Sequence, residues 1–194
     1  MHSFDYTKLK DRSWDSEILG YVAQIHEYKG RQQVLLRQRA AELDKLVEIA
    51  KIQSTEASNE IEGIRTTNTR LKQLCADKTT PRNQDEKEIM GYRDVLNTIH
   101  ENYEYIPLRS SYILQLHRDL YQYSEKSIGG KFKNTQNYIS ATDGKGNTFV
   151  LFTPLPPYET PDAINQNCDS YNRVIDKQEI DPLILVPVFY CAFF

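Results

Sequence analysis

The chain has 194 residues, 39% of them hydrophobic and 26% charged, with a formal net charge of −3. That length holds one domain of ordinary size, or one and a half, with a core of its own, so a small disulfide-stapled scaffold is not required. A slightly acidic balance without a block of Lys or Arg gives no general attraction to a phosphate backbone or an anionic lipid surface, which argues against nucleic acid and membrane as partners of this part.

Cys75, Cys168 and Cys191 are odd in number, widely spaced and free of any C-x-x-C pattern, so they read as reduced thiols. The opening M-H-S-F-D-Y-T-K-L-K lacks the apolar stretch of a secretory signal, and a cytoplasmic location is expected.

Residues 14–28 predict a moderate helix, and residues 31–62 a long one or two abutting ones. In the second, Leu43, Val47, Ala50, Ser54, Ala57 and Ile61 recur at alternating steps of four and three, a stripe expected to face a core. It closes in S-T-E-A-S-N-E-I-E-G-I, residues 54–64. Ser58 and Glu62 stack on one face, one residue round from the Ala57/Ile61 row, so the Glu62 carboxylate is expected half-buried. At the carboxyl end of a helix the macrodipole disfavours that charge by about 0.3–1 kcal/mol, so it wants a cation. The bland reading is a solvated acid before a C-cap glycine, Gly63.

Asn83 then predicts an N-cap with Glu86 three positions on, and Ile89, Tyr92, Leu96, Ile99 and Tyr103 line one face until Pro107. Ser110 or Ser111 caps a helix through Ile113, Leu116, His117 and Leu120. Residues 137–141 and 148–152 flank the turn T-D-G-K-G-N and predict a β-hairpin, followed by extended T-P-L-P-P. A lone hairpin is marginally stable, so its edge is expected to be exposed and either mobile or used. Thr160 and Pro161 open a helix with Ile164, Cys168, Tyr171 and Ile175 inward.

Residues 182–194 carry no charge and are too short for a membrane span. Asp181 and Pro182 form an N-cap and N1 pair, which predicts a helix buried on all sides with a kink at Pro187. No cap follows it. The expectation is a chain cut in mid-element, the alternative a short docked terminal helix.

H-E-N-Y-E at His100 lacks the second histidine of a zinc helix, since Glu104 stands in its place. His117, among leucines, reads as a satisfied core histidine rather than a catalyst. The glycines of I-G-G-K-F-K and D-G-K-G-N lack phosphate-loop spacing and read as turn residues.

S-N-E-I-E-G fits the pattern of the inhibitory helix of the Fic (Fido) family: a Ser or Thr, three residues, Glu, then Gly or Asn. E-I-M-G-Y-R-D-V-L-N-T-I-H resembles that family's next helix and I-L-Q-L-H-R-D-L-Y the one after. G-G-K-F-K-N-T-Q-N-Y-I resembles the lead into its target-binding hairpin, the flap, and P-L-I-L-V-P-V-F-Y-C-A-F-F the apolar helix that runs into the active site.

The resemblance implies a mainly α, Fido-type helical bundle with one β-hairpin, incomplete at its C-terminus. An N-terminal helical region, 1–105, would carry the inhibitory helix near 55–63. Residues 106–194 would form the first part of the core, with the flap at 136–153. The implied activity is transfer of AMP from ATP, with Mg²⁺, to a Ser, Thr or Tyr hydroxyl of a target protein. The signature H-P-F-x-D/E-G-N-G-R-x-x-R, which supplies the family's catalytic base, metal ligand and phosphate cradle, does not occur in these residues. No catalytic residue or metal ligand is therefore assigned, and the chain alone is expected to be inactive.

The residues the resemblance does assign are regulatory and docking ones. Ser58, Glu62 and Gly63 would form a brake, with Glu62 pairing a signature arginine that otherwise holds the ATP γ-phosphate, and Ser58 hydrogen-bonding Glu62. Asn137, Tyr138, Ile139, Ser140 and Ala141 would form the docking edge of the flap. The partner is a target protein, and a homo-oligomer is admitted. The reading from another class is a non-catalytic helical adaptor, or a truncated gene product, that binds a partner through the hairpin edge or the apolar terminus.

Overall fold

A computed structural model describes residues 4–76, 78–125 and 127–192. Seven α-helices and one hairpin are formed by these residues, which divide into two compact units. Residues 13–107 and 115–130 make one; residues 4–12, 108–114 and 131–192 make the other. The chain crosses between the units at 12/13, 107/108, 114/115 and 130/131.

The first unit holds α1 (Ser16–Gln38), α2 (Ala40–Ile61), α3 (Asn68–Cys75) and α4 (Gln84–Asn102), with the latter part of α5 (Ser110–Leu120). Its core is Leu71, Leu74, Ile89 and Met90, against which Ile52, Ile64, Cys75 and Tyr123 pack. Helix α3 has no counterpart in the sequence expectations. Thr67 caps it by accepting from Arg70 N at 3.3 Å, and Leu71 and Leu74, three apart, supply its buried edge.

Helix α4 starts where Asn83 predicts, with Asn83 Oδ1 accepting from Glu86 N at 2.9 Å. The Glu86 carboxylate is engaged elsewhere. Arg70 forks onto it through Nε and Nη2, both at 2.8 Å, and Arg82 N donates at 2.7 Å. Both side chains are buried, so each charge offsets the desolvation of the other. Arg93, also buried, donates to the Leu74 carbonyl at the end of α3.

Several expectations are corrected here. The break between the first two helices falls at Arg39 (φ −138, ψ 40), and Gly30 lies inside α1. The row of α2 turned to the core is half-buried Ile52 with buried Thr55 and Asn59, whereas Val47, Ala50, Ala57 and Ile61 are exposed. Polar side chains occupy the row because their own helix satisfies them: Thr55 Oγ1 donates to Lys51 O and Asn59 Nδ2 to Thr55 O, each at 2.8 Å. Ile99 on α4 and Tyr103 just after it are exposed, since the core ends a turn earlier.

The second unit contains a 3-10 helix (Tyr6–Asp11), β1 (Ile139–Thr142), β2 (Thr148–Phe152), α6 (Thr160–Asp176) and α7 (Pro182–Cys191). Tyr6 is its centre. The backbone N of Tyr6 donates to Ser170 Oγ at 3.3 Å, its hydroxyl donates to Asn167 Oδ1, and burial pushes its pKa up to about 12. Phe189 of α7 packs edge-on to Tyr171 at 4.9 Å and tilted to Tyr6 at 6.4 Å.

Asp181 caps α7 as its sequence predicts, accepting from Leu183 N at 2.9 Å. The expectation of burial on all sides is corrected. Leu185 alone among the described α7 residues is fully buried, while Val186 and Tyr190 are exposed, because the helix packs on α6 and the neighbouring 3-10 helix along one side only. No described helix is long and apolar enough to cross a membrane.

Candidate functional site

The end of α2 is built by backbone geometry first. Gly63 adopts φ +78, which favours glycine, and its N–H donates to Glu60 O at 3.0 Å while Ile64 N donates to Asn59 O at 2.9 Å. That paired arrangement closes a helix by satisfying its last carbonyls, and it sends Ile64 back into the core.

Two serines anchor the last turns. Ser58 Oγ lies 2.8 Å from Tyr92 Oη and Ser54 Oγ 3.2 Å from the same hydroxyl, tying α2 to α4. The Ser58 hydroxyl therefore works with Tyr92, and a Ser58–Glu62 hydrogen bond is not among those of the described residues. Tyr92 was legible only as a face residue of α4. The signal that could have singled it out is the pair of hydroxyls four apart on α2, which need a shared partner.

Glu62 is the C-cap residue, beyond the last helical turn, and it is exposed rather than half-buried. No hydrogen bond or ion pair of its carboxylate occurs among the described residues, while its neighbour Glu60 pairs with Arg65 at 3.6 Å. Glu62 lines a cleft of about 540 Å³ together with Ser58, Tyr92, Glu88, Leu120 and Tyr121. Two carboxylates and neither Lys nor Arg line it. A triphosphate would be repelled there, whereas a guanidinium would find hydrogen-bond acceptors and opposite charge.

Among the described residues no group of three or more His, Cys, Asp or Glu is placed to hold a metal ion. His117 accepts from Gly130 N at 3.1 Å through Nδ1 and meets Tyr121 edge-on at 5.1 Å, so it packs the I-G-G turn.

The hairpin belongs to the other unit. Strands β1 and β2 pair antiparallel, Ala141 opposite Phe149 and Thr142 opposite Thr148, with an irregularity between Ile139 and Ser140. Asp143 shapes the turn by accepting from Lys145 N at 2.8 Å, Asn147 N at 2.9 Å and Asn147 Nδ2 at 3.0 Å, and Gly146 takes φ +87. Asn137 and Tyr138, expected within the first strand, precede it, because the irregularity at Ile139/Ser140 ends regular pairing there.

Both faces of the hairpin meet solvent. Tyr138, Ile139, Val150 and Leu151 are all more than half exposed, and Ala141 is the one half-buried strand residue. Gln136 Nε2 donates to Pro154 O at 2.9 Å and closes the hairpin base. Just beyond lies a cavity of about 610 Å³ lined by Phe152, Pro154, Pro156, Ile164 and Asn167.

No protein-family model matches this sequence, and a comparison with curated proteins finds no match. Solved structures do match. A Fic domain containing signaling protein from Bacteroides thetaiotaomicron VPI-5482 superposes with a TM-score of 0.64 at 24% identity, over 78% of this chain and 56% of that one. A Fic family protein from Desulfovibrio desulfuricans G20 superposes with a TM-score of 0.69 at 17% identity, over 94% of this chain and 52% of the other. The chain spans about half the length of these two structures. Its helices and hairpin have the fold of Fic-domain proteins.

Proposed function

We propose that this chain is the regulatory and target-docking part of a Fic-type protein AMP transferase, with Ser58, Glu62 and Gly63 as its brake and residues 137–141 as its docking edge. The activity of the whole protein would be transfer of AMP from ATP to a target hydroxyl. The observation that carries the reading is S-N-E-I-E-G at the end of a Gly-terminated helix on a Fic fold, where Glu62 opens onto an acid-lined cleft. Glu62 would receive an arginine guanidinium there. Tyr92, Ser54 and Ser58 fix the helix end, and Gly63 fixes where the carboxylate leaves it.

A charge-assisted pair of this kind contributes about 1.5–3 kcal/mol, enough for a roughly ten- to hundred-fold shift between restrained and competent states. In the full-length protein, Glu62→Gly should raise label transfer from ATP by that factor. Glu60→Gly, which loses only its exposed pair with Arg65, should not. Equal transfer by wild type and Glu62→Gly, or equal activation by Glu60→Gly, would return Glu62 to a solvated acid before a C-cap.

The reading from another class, a non-catalytic adaptor, is favoured by the exposed apolar hairpin and by the exposed side of α7. Label transfer by the full-length protein decides against it.

A further inference from the structure

The cleft onto which Glu62 opens has α4 and the end of α5 as its other wall, through Glu88, Tyr92, Leu120 and Tyr121. A carboxylate receives a guanidinium through directional hydrogen bonds, so it acts there only while the end of α2 keeps one spacing and one register against α4. The Gly63 turn fixes where the chain leaves α2, but that turn is local and moves with its helix.

The tie across to α4 is Tyr92. Its hydroxyl meets Ser54 Oγ at 3.2 Å and Ser58 Oγ at 2.8 Å, and Ser58 stands one turn before Glu62. The ring is half-buried and lines the cleft itself. An apolar side chain at this position would also hold two helices together. A hydroxyl shared by two serines a turn apart does more: it singles out one register of α2 on α4, because any slip leaves half-buried hydroxyls without partners.

We propose that Tyr92 is the positioning residue of the brake: by holding Ser54 and Ser58 it keeps the Glu62 carboxylate where an arginine guanidinium can reach it. The assignment rests on the reading of Glu62 as the brake and adds the residue that aims it.

In the full-length protein, Tyr92→Phe should raise label transfer from ATP by up to about fivefold, the worth of one such hydrogen bond, while lowering the melting temperature. Less stable yet more active is the signature, since a merely structural loss lowers both. Ser54→Ala/Ser58→Ala, which leaves the phenol without these two partners, should do the same. In a Glu62→Gly background no brake is left to aim, and there Tyr92→Phe should add no activity. Thr55→Ala is the control on the same helix: its hydroxyl donates to Lys51 O within α2, so the variant should lose stability without raising transfer.

If Glu62→Gly raises transfer while Tyr92→Phe leaves it unchanged or lowers it, the positioning role is overturned and the brake stands. Activation by Tyr92→Phe of equal size in the wild-type and Glu62→Gly backgrounds, or by Thr55→Ala as well, also overturns it, because the gain then does not pass through Glu62. If Glu62→Gly itself leaves transfer unchanged, the brake reading fails and the role of Tyr92 fails with it.

Discussion

Ser58 Oγ and Tyr92 Oη lie 2.8 Å apart, and Ser54 reaches the same hydroxyl at 3.2 Å, so one phenol on α4 holds two successive turns of α2 just before Glu62. Each bond is worth about 1 kcal/mol net. Tyr92→Phe is therefore expected to destabilise the chain by roughly 1–2 kcal/mol in urea unfolding. Ser58→Ala should cost less, because Ser54 still meets the hydroxyl. Combined with Tyr92→Phe it should add little, which a double-mutant cycle reads directly.

Gly91 sits where α4 meets the end of α5. A Cβ built there would stand 1.9 Å from the Leu120 carbonyl oxygen, and that neighbour is backbone, which cannot swing aside. Gly91→Ala should thus cost about 1–3 kcal/mol or more through forced separation of the two helices. Gly20→Ala is the contrasting case: nothing lies within 4 Å of its Cβ, so the substitution should stabilise α1 by up to about 1 kcal/mol. Thermal melts of the two variants should move in opposite directions.

The buried Arg70–Glu86 pair predicts a pH dependence. Hydrogen bonds from the Arg70 side chain, aided by Arg82 N–H, hold the Glu86 carboxyl down at about 2 against an ordinary 4.5. A folded-state pKa below the unfolded one means that the contribution to stability is complete above about pH 4.5 and is lost as pH falls toward 2. Glu86→Gln should lower the melting temperature at neutral pH, since it leaves the Arg70 charge buried without its counterion, and should flatten the fall between pH 4.5 and 2.

The hairpin has only two strands, so its outer main-chain groups are open to strand addition. Proline removes an N–H donor and fixes φ. At an outward-facing position between Tyr138 and Ala141 it should weaken target modification by the full-length protein, with self-modification less affected. If proline at every one of these positions leaves target modification unchanged, the target docks elsewhere.

The sequence by itself determined what depends on a few neighbouring residues. Asn83 and Asp181 cap the helices their side chains can reach, Gly63 ends α2 because its φ is positive, and the D-G-K-G-N turn closes a hairpin with Thr148–Phe152 as its second strand. It also carried the Fic-like order of segments, which the superpositions bear out as a fold. Tertiary structure decided which faces are used. The helical spacing placed the buried row of α2 on Leu43, Val47, Ala50, Ser54, Ala57 and Ile61, yet Thr55 and Asn59 are its buried residues, because a polar side chain satisfied by its own helix carbonyls can be buried where α4 approaches. Likewise the charge-free residues of α7 read as buried all round, but apolarity sets only the tendency to be covered. Whether Val186 and Tyr190 are covered depends on what packs beside them, and local sequence carries no term for a distant neighbour.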